Sequence, residues 1–245
     1  MDFQATLELA GTLPKTLGPL VADIDGTLTD DNRAIDPRVV PILGSWPAPV
    51  VIATGKAMPY PVALCEYLGI EINVIAENGG VALAGRSGRI QFQGDRAAAA
   101  AVAEEYERQG YDTGWGEADL VNRWRETEIA VSRESPLGPL RSIAADHGLE
   151  VIDTGYAYHV KTAEQSKGRA LSVLAEELGY EQDEFLAVGD SVNDVSTFEV
   201  AGLSVAVGNA DDAATEAADH VTEASFGDGF LEAVLWLSEQ DSIKK

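Results

Sequence analysis

Four short segments of this chain place acids, a hydroxyl or a lysine directly after an apolar run or at the start of a helical pattern. In LVADIDGTLTD, Asp23 and Asp25 follow a buried-type run and lead at once into Gly26 and Thr27. In VVIATGK, Thr54 and Gly55 follow residues 50–53; in FLAVGDSVND, Asp190, Asn193 and Asp194 follow residues 185–188; in SKGRAL, Lys167 stands behind Ser166 at a helix start. Taken singly each has a plain explanation: Asp-Gly is a turn signal, ATGK a strand-to-helix turn, SKGRAL a capped helix and GDSVND an Asx-rich loop. Together they carry more weight, because ligands of an open parallel sheet gather outside the carboxyl ends of its strands. Several carboxylates converging there repel one another unless a divalent cation sits among them, and hard oxygen ligands favour Mg²⁺. The Thr54 hydroxyl and the Lys167 ammonium would then cradle a phosphoryl group. One carboxylate would be left to attack phosphorus, a known covalent route.

The elements that must position these residues are legible in the spacing. Apolar, β-branched runs at 20–24, 50–53 and 72–76 alternate with helical segments, and the alternation returns with runs at 185–188, 203–207 and 220–221. A short helix is expected from Asp36 as N-cap, with Pro37 in its first turn and Pro41 limiting it. A second covers 61–68 and ends at Gly69; a third runs over 167–178 between Ser166 and Gly179, with Ala170, Leu171, Leu174, Ala175 and Leu178 on one face. Helices are also expected at 195–201 and 230–237. Repeated βα units with short connections imply a parallel sheet covered on both faces.

Between these halves the pattern changes. GRSGRIQFQG reads as a hairpin around 85–88, 95–108 as an Ala-rich helix, 128–132 and 150–158 as strands, and 139–147 as a helix between them. The expected fold class is therefore α/β, a doubly wound, Rossmann-like parallel sheet interrupted by an α+β insert. The expected division is 1–83 and 161–245 for the core and 84–160 for the insert. No internal repeat or low-complexity linker is present.

Composition narrows the function classes. Forty-one acids against 17 bases give a net charge of −24, spread through every segment, which opposes binding to nucleic acid. It matches the acidic surfaces of halophile proteins, whose self-repulsion concentrated salt screens. Cys65 is the single cysteine, so an intramolecular disulfide and a thiolate zinc cluster are excluded. No apolar run approaches the roughly 18 residues of a membrane span, and the first residues lack a secretory pattern; no membrane partner and a cytoplasmic location are expected.

With these motifs in view, the chain resembles the haloacid dehalogenase superfamily of phosphotransferases, whose four motifs correspond to DIDGT, the Thr of VVIATGK, the Lys of SKGRAL, and GDSVND. IAENGG at 75–80, and AVGNADDAATEAADHVTEA followed by GDGFLEAV, resemble its Cof-type branch. DIDGTLTD with VIATGK and VIAENGG is similar to archaeal members acting on phosphoglycolate. The resemblance implies Mg²⁺-dependent hydrolysis of a small phosphate monoester, 2-phosphoglycolate first, through an aspartyl-phosphate. It implies Asp23 as nucleophile and Asp25 as general acid/base. Asp23, the Asp25 main-chain carbonyl, Asp190 and Asp194 would hold the metal. Thr54, Gly55, Lys167 and Asn193 would bind the phosphate, and Asn193 would also orient the GDSVND loop. Thr215 stands where the family usually has a basic residue, with no catalytic consequence. Lys56 is either a solvated lysine or a second phosphate or carboxylate contact.

By the same resemblance the insert is a cap that chooses the substrate. Arg123, Arg125 and His159 are the candidates to meet a carboxylate, and Trp115 and Trp124 are read as cap core. The partner is a small-molecule phosphate ester, and the chain is expected to act as a monomer or homodimer. Another sugar-phosphate phosphatase or a phosphomutase would use the same aspartates. A receiver-type phospho-acceptor module would need neither Asp25 nor a cap and only about half this length. An EF-hand wants Gly at its sixth position, where counting from Asp23 places Leu28.

Overall fold

Four consecutive buried residues, Leu20–Asp23, form the central strand β1, as expected for a run with no polar face until its final acid. The computed structural model describes residues 1–85 and 87–243. Helix α1 (Phe3–Thr12) precedes β1; α2 (Val39–Ser45), β2 (Val50–Ala53), α3 (Pro59–Leu68) and β3 (Asn73–Ala76) follow in alternation. Then come β4 (Val81–Ala84), β5 (Arg89–Phe92), α4 (Arg96–Arg108), β6 (Ile129–Ser132), α5 (Leu137–Asp146), β7 (Glu150–Asp153) and β8 (Ala157–Lys161). The chain closes with α6 (Lys167–Leu178), β9 (Leu186–Gly189), α7 (Val195–Phe198), β10 (Leu203–Ala206), α8 (Asp212–Ala217), β11 (His220–Val221) and α9 (Phe226–Ile243).

The large sheet has the order β11-β10-β9-β1-β2-β3-β4-β5. Its first six strands are parallel, with Leu20 opposite Val50 on one side and Leu186 on the other. The chain departs from β1 first toward β2 and later returns to β9, so the crevice at the carboxyl end of β1 is a topological switch point. Alternate residues of β1 feed opposite faces. Leu20 and Ala22 pack with Ile42, Leu43, Leu68, Phe230 and Val234, whereas Val21 packs with Leu171, Leu174, Phe185 and Phe198. The smaller sheet, β6-β8-β7, is antiparallel. It buries Val131, Tyr158 and Val160 against Val102 and Tyr106 of α4 and Leu140 and Ile143 of α5.

Local signals place several ends to the residue. Ser166 caps α6 by accepting from the Arg169 amide, and Gly179 ends it at φ 81°; Gly69 ends α3 at φ 70°. Asp36 does not cap α2 directly; Arg38 occupies the cap position, and Asp36 Oδ1 accepts from the Arg38 amide one step earlier. Pro41 lies in the first turn of α2, where a missing amide costs no helical bond.

Three expectations are corrected. The hairpin β4–β5, expected with the residues that follow it, pairs antiparallel with β3 and belongs to the large sheet. The expected strand 150–158 is two strands, because Gly155 at φ 77° turns the chain back and its amide bonds Asp153 Oδ1. Trp124 is 41% exposed with its ring edge against Tyr60 of α3, outside the insert's core. Among the described residues no helix is long and apolar enough to cross a membrane.

Candidate active site

Asp23 is the last residue of β1 and is buried, while Asp25, two residues on, is one-third exposed. Gly26 makes the intervening turn at φ 91°, and a Cβ there would stand 2.1 Å from Asp190 Oδ2. The glycine thus lets the loop after β9 bring a second carboxylate onto the first. Its amide bonds Thr29 Oγ1 at 3.0 Å, which holds the DGTLT turn closed.

The loop after β9 is organised by Asp194, whose Oδ2 accepts the amides of Asp190 and Ser191, both at 3.1 Å. Gly189 makes this possible, since a Cβ at that position would meet Asp194 Cγ at 2.5 Å. Lys167, the first residue of α6, is fully buried, and its Nζ lies 2.6 Å from Asp23 Oδ1 and 2.7 Å from Asp194 Oδ1. Thr54, just past β2, is also buried; its amide bonds Ile75 O, and its hydroxyl accepts from the Lys56 amide. The Lys56 ammonium is paired with Asp25 Oδ2.

Asp23, Asp190 and Asp194 each offer an oxygen within 4.8 Å of the others. Burial, followed by the charges of Asp194 and Asp25, pushes the Asp23 carboxyl up against the opposing pull of Lys167. Burial and the charges of Asp23 and Asp194 push Asp190 up further. Burial alone would lower Lys167, but Asp194 and Asp23 hold it firmly in the cationic form. One ammonium therefore leaves the three carboxylates under-compensated. An all-oxygen donor set short of positive charge, with a glycine clearing space beside it, fits a hard divalent cation.

Above the cluster lies a pocket of about 350 Å³, lined by Asp23, Asp25, Thr54, Gly55, Asp190 and Asn193. Lys167, outside that lining, joins Asp23 to Asp194 through its ammonium. The insert contributes Arg125, His159 and Tyr156 to the wall, and Arg33 adds a cation from the segment after β1. Arg125 Nη1 donates to Gly55 O at 3.0 Å, tying the insert to the loop after β2. Arg123 is exposed and does not line the pocket. Trp115 stacks on Tyr156, and the Arg33 guanidinium lies 4.7 Å from the centre of that ring.

Sequence reasoning missed four contributors. Arg33 adopts φ 65°, with no motif to mark it. Glu128 is wholly buried, contacting Arg125 and His159. Burial would raise its carboxyl, but the charges of His159 and Arg125 outweigh that and hold it below the usual range. Glu77 and Asn78, within the IAENGG segment, both take left-handed backbone (φ 54° and 53°), and Glu77 Oε2 accepts from the Thr127 amide and hydroxyl of the insert. Consecutive non-glycine residues in that region signal a constrained site.

A doubly wound sheet with aspartates at its carboxyl edge, a buried lysine beside them and a second, smaller sheet contributing to the pocket wall is the arrangement of a phosphotransferase-like α/β enzyme. The comparisons sharpen this. The family model for haloacid dehalogenase-like hydrolases matches residues 20–101 and 151–234, and the chain belongs to that family. It is 57% identical over 216 residues to the phosphoglycolate phosphatase of Haloarcula marismortui, covering 88% of this chain and 95% of that protein. It is 57% identical over 218 residues to the phosphoglycolate phosphatase of Natronomonas pharaonis, covering 89% and 96%. These relatives are from halophilic archaea, in line with the charge. A crystal structure from Thermoplasma acidophilum matches with a TM-score of 0.79 at 26% identity, covering 90% of this chain and 98% of that one.

Proposed function

We propose that this hydrolase converts 2-phosphoglycolate to glycolate and phosphate through an aspartyl-phosphate on Asp23. The observation that carries the reading is the buried Asp23 carboxylate at the switch point, which lines the pocket and lies 2.6 Å from the Lys167 ammonium. The identity to relatives named for this activity supports the substrate.

In the first step the Asp23 carboxylate attacks phosphorus, the ester bond breaks, and protonated Asp25 gives its proton to the departing glycolate oxygen. In the second, the Asp25 carboxylate takes a proton from water, the hydroxide attacks phosphorus, and the acyl-phosphate bond breaks to return Asp23 and release phosphate. Lys167, the Thr54 hydroxyl, the Gly55 amide and the Asn193 side chain bind the phosphate oxygens, and Lys167 offsets charge on the equatorial oxygens. Asp23, the Asp25 carbonyl, Asp190 and Asp194 would hold Mg²⁺, which when bound neutralises charge on the phosphoryl group.

In this reading residues from about 94 to 162 form the cap, and its closure excludes water from the transfer. Arg125 and His159 are the cap residues placed to meet the substrate carboxylate. A single buried thiol, Cys65, suits a cytoplasmic setting.

The test is phosphate release from a panel of phosphorylated metabolites at high KCl, with and without Mg²⁺. Phosphoglycolate should be preferred over sugar phosphates and turnover should require the metal. Equal rates across the panel would remove the substrate assignment.

A further inference from the structure

Asn78 sits in the turn between β3 and β4 of the large sheet, against residues of the smaller sheet and its approach. Its backbone amide donates to Thr54 O at 3.2 Å, and its side chain lies between Glu128 and Asn193. The Glu128 carboxylate has no solvent contact and is surrounded by donors. Arg125 Nη1 bonds Oε1, His159 Nδ1 lies at 2.7 Å, Asn78 Nδ2 at 3.0 Å and Gln165 Nε2 at 3.3 Å.

An ionised carboxylate can only accept hydrogen bonds. Asn78 must therefore turn its Nδ2 toward Glu128 and its Oδ1 away. That oxygen accepts from Asn193 Nδ2 at 2.9 Å, and Asn193 Oδ1 in turn accepts from Ser191 Oγ at 2.8 Å. The direction of every bond in this chain follows from the carboxylate at its end. Reversing both amides would set Asn78 Oδ1 against both Glu128 oxygens, now 3.0 and 3.2 Å from its Nδ2; His159 Nδ1, 3.0 Å away, is closer to Glu128 Oε1 at 2.7 Å and is engaged there. With the sign fixed, Asn193 spends one Nδ2 hydrogen on Asn78 and keeps the other for an anion in the pocket it lines. A reversed Asn193 would present its carbonyl oxygen instead.

The geometry points to Glu128 as a positioning residue that fixes, from the insert and through Asn78, which atom the Asn193 amide offers to the substrate phosphate. This rests on the reading of Asn193 as a phosphate contact. It also gives the insert a role beyond covering the pocket: residues 50 and 115 positions apart in sequence set one amide of the catalytic loop.

The test compares Glu128→Gln, Asn78→Asp, the double variant and Asn193→Ala. Readouts are kcat/KM for phosphoglycolate with Mg²⁺ at high KCl, the inhibition constant of inorganic phosphate, and the melting temperature. Glu128→Gln lets the amides reverse, and Asn78→Asp opposes two carboxylates. Each should lower kcat/KM and weaken phosphate inhibition by about 10- to 100-fold. In the double variant the acceptor-only group moves to position 78, the new amide donates to it, and Asn193 Nδ2 again has its acceptor; both readouts should recover most of the loss. Recovery of melting temperature without recovery of phosphate inhibition would overturn the relay. So would a Glu128→Gln enzyme with unchanged phosphate inhibition when Asn193→Ala is impaired. Unchanged inhibition in Asn193→Ala would overturn the phosphate-contact reading itself and the relay with it. Should Glu128→Gln fail to fold, Asn78→Asp against the double variant decides the matter.

Discussion

Lys167 Nζ and Asp23 Oδ1 are 2.6 Å apart, and they come from positions 144 residues distant in the chain. The lysine is wholly enclosed, and its ammonium is paired with two acids, Asp23 and Asp194. Removing one acid leaves the other as partner, whereas removing the lysine would leave clustered carboxylates with no cation.

Asp23→Asn should therefore keep the fold and lose the chemistry. Lys167 retains Asp194, and the melting temperature should change by only a few degrees. Turnover of phosphoglycolate should fall by roughly a thousandfold or more, as for loss of a covalent nucleophile. Asp25→Asn should lose nearly as much, because both proton transfers pass through that carboxyl. Substantial Mg²⁺-dependent phosphate release by Asp23→Asn would refute the aspartyl-phosphate route.

Metal and pH should be linked. In the metal-free protein the raised Asp23 and Asp190 carboxyls keep protons that the unfolded chain releases above about pH 4. The folded state binds more protons over that range, so stability falls as pH rises from about 4 through the raised folded values. Mg²⁺ bound by these carboxylates would replace those protons. Its increment to the melting temperature, measured against EDTA, should grow with pH across the same window; an increment independent of pH would contradict the proposed ligand set.

Gly168 keeps Lys167 in place. A Cβ there would stand 1.9 Å from the Ser196 carbonyl, where α6 crosses the start of α7. Gly168→Ala should cost about 1–3 kcal/mol by overpacking and lower kcat by shifting the adjacent lysine. Gly138→Ala in α5, with nothing within 4 Å of its added carbon, should be neutral or stabilising by up to about 1 kcal/mol. Equal denaturation midpoints for the two variants would refute this packing argument.

Salt should stabilise the protein. With a net charge of −24, repulsion among surface acids should be relieved as KCl shortens the screening length to about 3 Å at 1 M. The melting temperature should climb between dilute buffer and molar KCl. A flat profile would contradict the halophilic reading.

Helix α6 shows what local chemistry determines: its cap at Ser166, its apolar face and its stop at Gly179 act within a turn or two, so its residues alone define it. The strands ending at Asp23, Ala53 and Gly189 were legible for the same reason, and with them the carboxyl edge where the motif residues gather. What the sequence by itself determined was thus the alternation, the caps and the placing of Asp23, Thr54, Lys167 and Asp190 at element ends. Only the tertiary structure decided that β4–β5 extend the large sheet, that Gly155 folds residues 150–161 into a hairpin, and that Trp124 faces α3. It alone placed Glu128, in an unremarked RETE run, behind Asn78 and Asn193. Those outcomes depend on which distant surfaces meet, and a buried carboxylate acquires its role from donors that only packing brings to it.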